Sequence, residues 1–402
     1  MKVQTLKGFR DFLPKEARKR QFVIDTLRKV FESYGFEPLE TPALEYEEVL
    51  MGKYGEEGEK LMYKFEDLGG RKVALRYDQT VPLARVVAQY GNDLPLPFKR
   101  YQIQPVWRAE NTQKGRYREF LQVDADIVGS SSYLADVEIL SLTNTSLKSL
   151  GFKKFRIKFN SREVLFGKMK EANISEVFQP QVIRALDKVD KIGWEGVEKE
   201  LKKIEGLDIN IAMVMFRLWE TTQPVEGDEM NKIWKKSTEM NIPLEWKLTL
   251  ARGLNYYTGL IFEVEIDGYE ACSIAGGGRY DNLIGMFAGK DIPAVGFAFG
   301  FDRLIEAMDE LKLFDGKDLG GTEILVTNVN PKASQIANEL RSKNINAELY
   351  VDEKDLDKQL RYADRCSIPY VLIFDKDKLI LKDMKSGEQS EVTLDQLPDV
   401  IR

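Results

Sequence analysis

The chain has 402 residues, 43% of them apolar and 31% charged, with a formal net charge of −6. That length provides for two or three domains with cores of their own, and the acidic balance excludes a global field attracting nucleic acid, so any RNA contact needs local basic patches. There is no histidine, which excludes serine–histidine triads, papain-like pairs and HExxH zinc sites and leaves carboxylates, Arg, Lys, Tyr or the substrate itself for any chemistry.

No apolar run approaches the 18 or so residues a membrane span needs, and the opening MKVQTLKGFRDFLP lacks the apolar core of a secretory signal. Cys272 and Cys366 lie far apart and form no CxxC spacing, so no structural metal or disulfide framework is expected. A cytoplasmic protein with reduced thiols is the expectation.

In chain order, Lys15 to Tyr34 carries Val23, Leu27, Val30, Phe31 and Tyr34 on one helical stripe, with Gly35 where a left-handed cap belongs. Pro38 and Pro42 confine the extended FEPLETPALEY to an edge or boundary. KFEDLGGRKVALRYD reads as two short strands around a Gly-Gly turn. VPLARVVAQY is helical, and KRYQIQPVWRAE and YREFLQVDADIVG are strands joined by a charged turn. From 160 to 248 the pattern becomes helical, with no alternating strand before Trp246, and reads as an insertion. Strand pattern returns in ARGLNYYTGLIFEVEIDGYEACSIAGGGRYD and leads into AVGFAFGFDRLIEAMDEL. LFDGKDLGG, residues 313–321, is the linker candidate. Residues 322–402 alternate strand and helix, implying a small α/β domain with a mostly parallel sheet.

Four segments carry candidate chemistry. WRAENTQKGRYREFLQ places Arg108 and Glu110 before Gly115, and Arg116 and Arg118 after it. Arginine forks suit bidentate phosphate contacts, and glycine permits close backbone approach. A solvated hairpin held by cross-strand Glu–Arg pairs explains the same stretch. ARGLNYYTG sets Arg252 before a tyrosine pair, which equally suits an edge decoration. SIAGGGRYD has three glycines on a strand end, a bulge or a place of close approach. GFAFGFDRLIEAM puts Arg303 at a helix start, where the dipole disfavours a cation unless it pairs with Asp302 or a ligand. Neither GMFAGK nor GGGRYD has the spacing of a known phosphate loop.

Taken in order, LRYDQTVPLAR, WRAENTQKGRYREFLQVDADIVG, RGLNYYTG, SIAGGGRYD and GFAFGFDRL resemble the histidyl-tRNA synthetases, class II aminoacyl-tRNA synthetases. GFRDFLP and ALDKVDKIG match the same family, and the likeness runs from Gly8 to beyond Gln389. RGLNYY and GGGRYD resemble its two histidine-specific motifs.

The resemblance implies an α+β catalytic domain, an antiparallel sheet flanked by helices, from residues 1–159 and 249–312. It implies a helical insertion at 160–248 and a carboxy-terminal α/β anticodon-binding domain at 322–402. It implies activation of L-histidine by ATP, with Mg2+, and transfer to tRNA(His). By motif, Arg108 would hold the α-phosphate, Arg303 the distal phosphates, and Arg116 would assist. Phe120 would stack on adenine and Glu110 contact its edge. Arg252 would stand at the reacting carboxylate. Asp78, Thr80 and Gln122 would take the amino group, with Asp126, Tyr257 and Tyr280 around the imidazole. Gln113 would touch the tRNA acceptor end. A homodimer is implied by the likeness around Pro42. Asn255 departs from the family's aspartate, and Leu121 from its usual aromatic or histidine. The alternative is a regulatory paralogue of the kind that serves ATP phosphoribosyltransferase, which lacks the anticodon domain; residues 322–402 and Arg252 speak against it.

Overall fold

The computed structural model describes residues 3–186, 188–209, 213, 228–250, 256–269, 273–375 and 378–401. The chain folds as two units, Met1–Lys317 and Asp318–Arg402.

The first unit contains β1 (Glu37–Pro38), β2 (Leu44–Tyr46), β3 (Lys64–Glu66), β4 (Lys72–Leu75), β5 (Phe98–Trp107), β6 (Glu119–Val128), β7 (Phe155–Ser161), β8 (Leu244–Trp246), β9 (Leu260–Ile266), β10 (Ala275–Arg279) and β11 (Ala294–Gly300). Among the described residues, eight of these form one sheet in the order β1-β5-β6-β11-β10-β9-β7-β8, and β2-β4-β3 form a second. The large sheet is antiparallel except at its edges, where β1 pairs with β5 and β8 with β7 in parallel. Pro38 sits on the edge strand, where its missing N–H costs no ladder bond.

One face of the sheet is apolar and covered by helices. The Pro14–Ser33 helix starts with proline in its first turn and buries Val23, Leu27, Val30 and Phe31; Gly35 follows at φ +75°. The Tyr133–Leu150 helix is capped by Ser132, which accepts from the Leu134 N–H, and ends at left-handed Gly151. Phe31 meets the rings of Tyr101 on β5 and Phe297 on β11, with centroids 5.6 and 6.3 Å away. Strand alternation places Val123, Ala125 and Ile127 with that core, so Gln122, Asp124 and Asp126 must face the other side.

The three glycines of β10 lie mid-sheet, in unbroken register with β9 and β11, so of the expected alternatives it is the close approach that is met and not the strand end or bulge. Packing explains this, because a Cβ on Gly277 would overlap the Gly296 carbonyl.

The helices Arg162–Glu171, Gln179–Leu186 and Val189–Leu201 gather around Leu165, Met169, Val182, Leu186, Val197 and Leu201. The Glu229–Glu239 helix packs instead on the Tyr133–Leu150 helix, and β8 joins the main sheet.

The second unit contains β12 (Ile324–Val326), β13 (Ala347–Leu349), β14 (Tyr370–Asp375), β15 (Lys378–Asp383) and β16 (Gln389–Val392), in the order β13-β12-β14-β15-β16. The helices Ala333–Ser342 and Leu356–Arg365 connect its parallel strands. β15 and β16 return antiparallel, so only half of the pairings are parallel. Two residues separate β14 from β15, far too few for a parallel crossover.

Candidate active site

The polar face of the first unit forms a cavity of about 350 Å³. Its floor is made from residues with little or no side chain: Gly276 on β10 and Gly296, Ala298 and Gly300 on β11. Beside that floor β6 presents Phe120, Gln122, Asp124 and Asp126 with the period of a strand. Register sets Gly300 opposite Gln122, Ala298 opposite Asp124 and Gly296 opposite Asp126.

At one end the cavity is cationic. Trp107 on β5 donates its indole N–H to Glu119 at 2.6 Å and closes the base of the hairpin. The Arg108 Nε donates to the Tyr77 carbonyl at 3.1 Å, and the guanidinium lies 4.4 Å from the Tyr77 ring and 5.2 Å from that of Phe120. Such stacking holds a guanidinium flat. Arg116 and Glu110 face each other across the hairpin at 3.5 Å. Gln113 and Arg116 exchange backbone hydrogen bonds that close the tip, where Gly115 takes φ +68°. The Gln113 side chain is exposed.

Arg303, third residue of the Phe301–Glu310 helix, donates to the carbonyls of Gly115 (3.1 Å) and Ser273 (3.0 Å). It is not paired with Asp302, whose carboxylate is claimed by Arg10 at 2.9 Å and Arg20 at 2.6 Å. Arg10 also lies 3.2 Å from the Tyr117 ring centroid, so the amino-terminal segment braces both the hairpin and the start of this helix.

The other end is acidic and deeply buried. Asp78 stands just before the Thr80–Tyr90 helix; its Oδ1 accepts from Tyr54 at 2.8 Å and from the Val81 N–H at 3.1 Å. Burial lifts its carboxyl above the ordinary range despite those donors. Asp126 accepts from the Tyr280 hydroxyl on one oxygen and meets Arg100 at 2.7 Å on the other. Burial raises the Asp126 carboxyl, and Arg100 and Tyr280 oppose the rise. Burial also lifts the Tyr280 phenol well above its usual range, so it remains a donor. Tyr256 packs between Tyr257 and Tyr280, with centroids 4.9 and 5.8 Å away.

The cavity therefore brings together Asp78, Thr80, Arg108, Glu110, Arg116, Phe120, Gln122, Asp126, Tyr257, Tyr280 and Arg303. Gln113 is not among its lining residues. Arg252 and Asn255 lie outside the described residues. The sequence reading missed Arg100, Asp124 and Tyr54, and took Tyr256 only as half of a tyrosine pair. Asp124 had a signal, sharing the strand parity of Gln122 and Asp126.

An antiparallel sheet bearing a polar cleft, with arginines gathered at one end and buried acids at the other, followed by a separate α/β unit, is the arrangement that the likeness to class II aminoacyl-tRNA synthetases implied. The family model for histidyl-tRNA synthetase matches residues 8–304, and that for the anticodon binding domain matches residues 320–402. The chain is 41% identical to the histidine–tRNA ligase of Cytophaga hutchinsonii and 40% identical to that of Christiangramia forsetii, the alignments covering 97% and 98% of both partners. Histidyl-tRNA synthetase from Nostoc sp. PCC 7120 superposes with a TM-score of 0.87 at 32% identity, covering 100% of this chain and 99% of that one. The chain belongs to the histidyl-tRNA synthetase family.

Proposed function

We infer that the chain condenses L-histidine with ATP to histidyl-adenylate and then transfers the histidyl group to the 3′ end of tRNA(His). One observation carries the residue assignments: the ionic character of the cavity is split, with arginines around the hairpin and carboxylates at the far end. An amino acid with a cationic ammonium and a polar ring fits the acidic end, and a polyphosphate fits the arginines.

In the first step a carboxylate oxygen of histidine attacks the α-phosphorus of ATP. The bond to the bridging oxygen of the leaving pyrophosphate breaks. The nucleophile is already ionised, so the absence of a histidine base removes nothing. Arg108 holds the α-phosphate and Arg303 the distal phosphates, while Arg116 assists. Charge growing on the pentavalent phosphorus meets donors fixed beforehand by stacking and by carbonyl contacts. Phe120 stacks on adenine and Glu110 contacts its edge. Asp78, Thr80 and Gln122 receive the amino group, and Asp126, Tyr257 and Tyr280 enclose the imidazole. Arg252 is assigned to the reacting carboxylate on the likeness of RGLNYY alone. In the second step a hydroxyl of the terminal tRNA ribose attacks the adenylate carbonyl and AMP leaves; Gln113 contacts the acceptor end.

Mg2+ is expected to arrive with the nucleotide, since that ion is held mostly through phosphates and water with one or two carboxylates. Among the described residues no group of three metal-ligating side chains comes together. Two carboxylates at the arginine end could serve it, Glu110, which faces Arg116 at 3.5 Å, and Asp302, whose Oδ1 alone meets Arg10 and Arg20. The chain is taken to act as a cytoplasmic homodimer, with no membrane partner. Exposed Leu44, Tyr46 and Phe65 on the small sheet support a second copy, and no described helix is long and apolar enough to cross a membrane.

Histidine-dependent ATP–pyrophosphate exchange, run with all twenty amino acids, tests this reading. Exchange with histidine alone supports it. A folded, histidine-binding chain with no exchange would replace it with a regulatory role.

A further inference from the structure

Among the described residues, five buried acceptor atoms of residues lining the cavity have no hydrogen-bond partner; Asp126 Oδ2 and Asp302 Oδ2 belong to carboxylates ion-paired with arginines, which leaves Asp78 Oδ2, Gln122 Oε1 and Asp124 Oδ1. Each belongs to a side chain more than nine-tenths buried. An orphaned buried acceptor costs on the order of 1–3 kcal/mol, so three in one cavity call for a common donor. Two of them belong to residues already assigned to the substrate's amino group. The third, Asp124, has no assigned role.

The surroundings of Asp124 show why no protein group satisfies Oδ1. Its cross-strand neighbour on β5 is Gln102, whose amide donates instead to Thr41 at 2.8 Å and to Gln104 at 2.6 Å. Its neighbour on β11 is Ala298, which has no polar side chain. Arg100, fully buried in this layer, meets Asp126 at 2.7 Å through one guanidinium nitrogen and donates to Gln102 at 3.3 Å through another. Asp126 thus has the Tyr280 hydroxyl on one oxygen and the Arg100 guanidinium in ion-pair contact on the other, whereas Asp124 Oδ1, between Gln122 and Asp126 on the strand face that lines the cavity, has neither. An alkylammonium is a compact cation with three N–H donors, enough for the three acceptors whose side chains have no ion pair.

We propose that Asp124 binds the α-ammonium of the amino-acid substrate through Oδ1, completing a three-acceptor cradle with Asp78 Oδ2 and Gln122 Oε1. This rests on the functional reading above and extends it to a residue that the family motifs did not single out. Burial, with Asp126 and Asp78 adding to it, lifts the Asp124 carboxyl well above the ordinary range, against the pull of Arg100 and Arg108. Arrival of an ammonium compensates that buried charge.

The test compares two ligands on two proteins. One ligand is adenosine 5′-sulfamate acylated with histidine; the other carries the deamino acid 3-(imidazol-4-yl)propionate and differs only in lacking the ammonium. Kd is measured for both on the wild-type chain and on Asp124→Asn. The expected result is a loss of roughly ten- to hundredfold for the histidyl ligand, as for one charge-assisted hydrogen bond, with the deamino ligand nearly unchanged. Equal losses for both ligands, or none for either, overturn the proposal. Wild-type protein that binds neither ligand overturns the functional reading and this inference with it, whereas wild-type binding with an unchanged ratio in the variant overturns this inference alone. Should Asp124→Asn fail to fold, a structure of the wild-type chain with L-histidine decides the same point. An ammonium nitrogen within about 3.2 Å of Oδ1 supports the proposal, and one beyond about 4 Å overturns it.

Discussion

Gly296 on β11 lies directly opposite Asp126 on β6, and a Cβ at Gly296 would fall inside the van der Waals envelope of the Asp126 carboxylate. The glycine is therefore the space into which the carboxylate folds. Gly296→Ala should push Asp126 away from Tyr280 and Arg100. Overpacking of this kind costs about 1–3 kcal/mol of stability, so a folded protein is expected. Its KM for histidine should rise by more than about tenfold, with KM for ATP little changed. Unchanged histidine kinetics in a folded variant would show that Asp126 has room to spare.

Tyr280→Phe removes the hydroxyl that donates to Asp126 and keeps the ring. Loss of one donor to a buried carboxylate costs about 1.5–3 kcal/mol. Histidine affinity should fall by a corresponding factor of about ten to a hundred. Calorimetry with L-histidine and no nucleotide measures it, and a Kd within about twofold of wild type would sink the assignment of Tyr280 to the ring.

The structural contacts of Arg303 and its proposed role are separated by one pair of substitutions. Its fork grips Gly115 and Ser273 through their carbonyls, so Arg303→Ala should loosen the hairpin and, on the proposed assignment, lose the contact to the distal phosphates. Arg303→Lys keeps the charge and loses the fork. Both should lower kcat/KM for ATP, the alanine variant by about 10²–10³-fold, as for removal of one transition-state donor. The lysine variant should retain more activity than alanine. Equal activity of lysine and wild type in pyrophosphate exchange would mean that the fork geometry does not matter.

Gln113 offers a separation of steps. It sits at the hairpin tip with an exposed side chain, and its backbone alone closes the turn with Arg116. Gln113→Ala should leave histidine-dependent exchange intact and slow single-turnover transfer to tRNA by about tenfold, the loss of one contact of about 1.4 kcal/mol. A matching loss in both assays would relocate Gln113 to the activation step.

The buried carboxyls set a pH dependence with a definite sign. Asp78, Asp124 and Asp126 are all raised by burial, and Asp136 is raised to about 6 by burial, against Arg279. A carboxyl whose folded pKa exceeds its unfolded value, about 4, binds protons more tightly when folded. Its contribution to stability thus increases as pH falls from about 6 to about 4. Glu200, held down to about 2 by Lys188 and Lys203, acts in the opposite sense, losing its contribution at lower pH. The ligand-free protein should accordingly melt higher at pH 5 than at pH 7, while added histidine should protect more at pH 7, where the carboxylates need its ammonium. A melting temperature that drops on acidification from 7 to 5 would contradict this.

How much of this was legible in the sequence depends on the range of the interaction. Strand parity along EFLQVDADIV sets Gln122, Asp124 and Asp126 on one face, and the helical stripe from Val23 to Phe31 predicted the covering helix. Partner choice was not legible. Whether Arg303 pairs with Asp302 or with a carbonyl depends on Arg10 and Arg20, nearly 300 residues earlier in the chain. That Asp124 lacks a partner depends on where Gln102 sends its amide. The glycines of β10 announce a close approach in the sequence, but that the arriving group is the Gly296 carbonyl of β11 is not legible there.

The floor of Gly276, Gly296, Ala298 and Gly300 has one further consequence, for anyone wishing to change what the protein accepts. Pockets are usually enlarged by shortening a side chain, but here the surface beneath the substrate is already main chain, apart from a single methyl. On the proposed reading, room for a bulkier amino acid must come from the side-chain walls, Tyr257 and Tyr280 among them, and not from the floor. Every single-residue change to a floor glycine can only make the chamber shallower, so random mutation there narrows the diet of the protein and never broadens it.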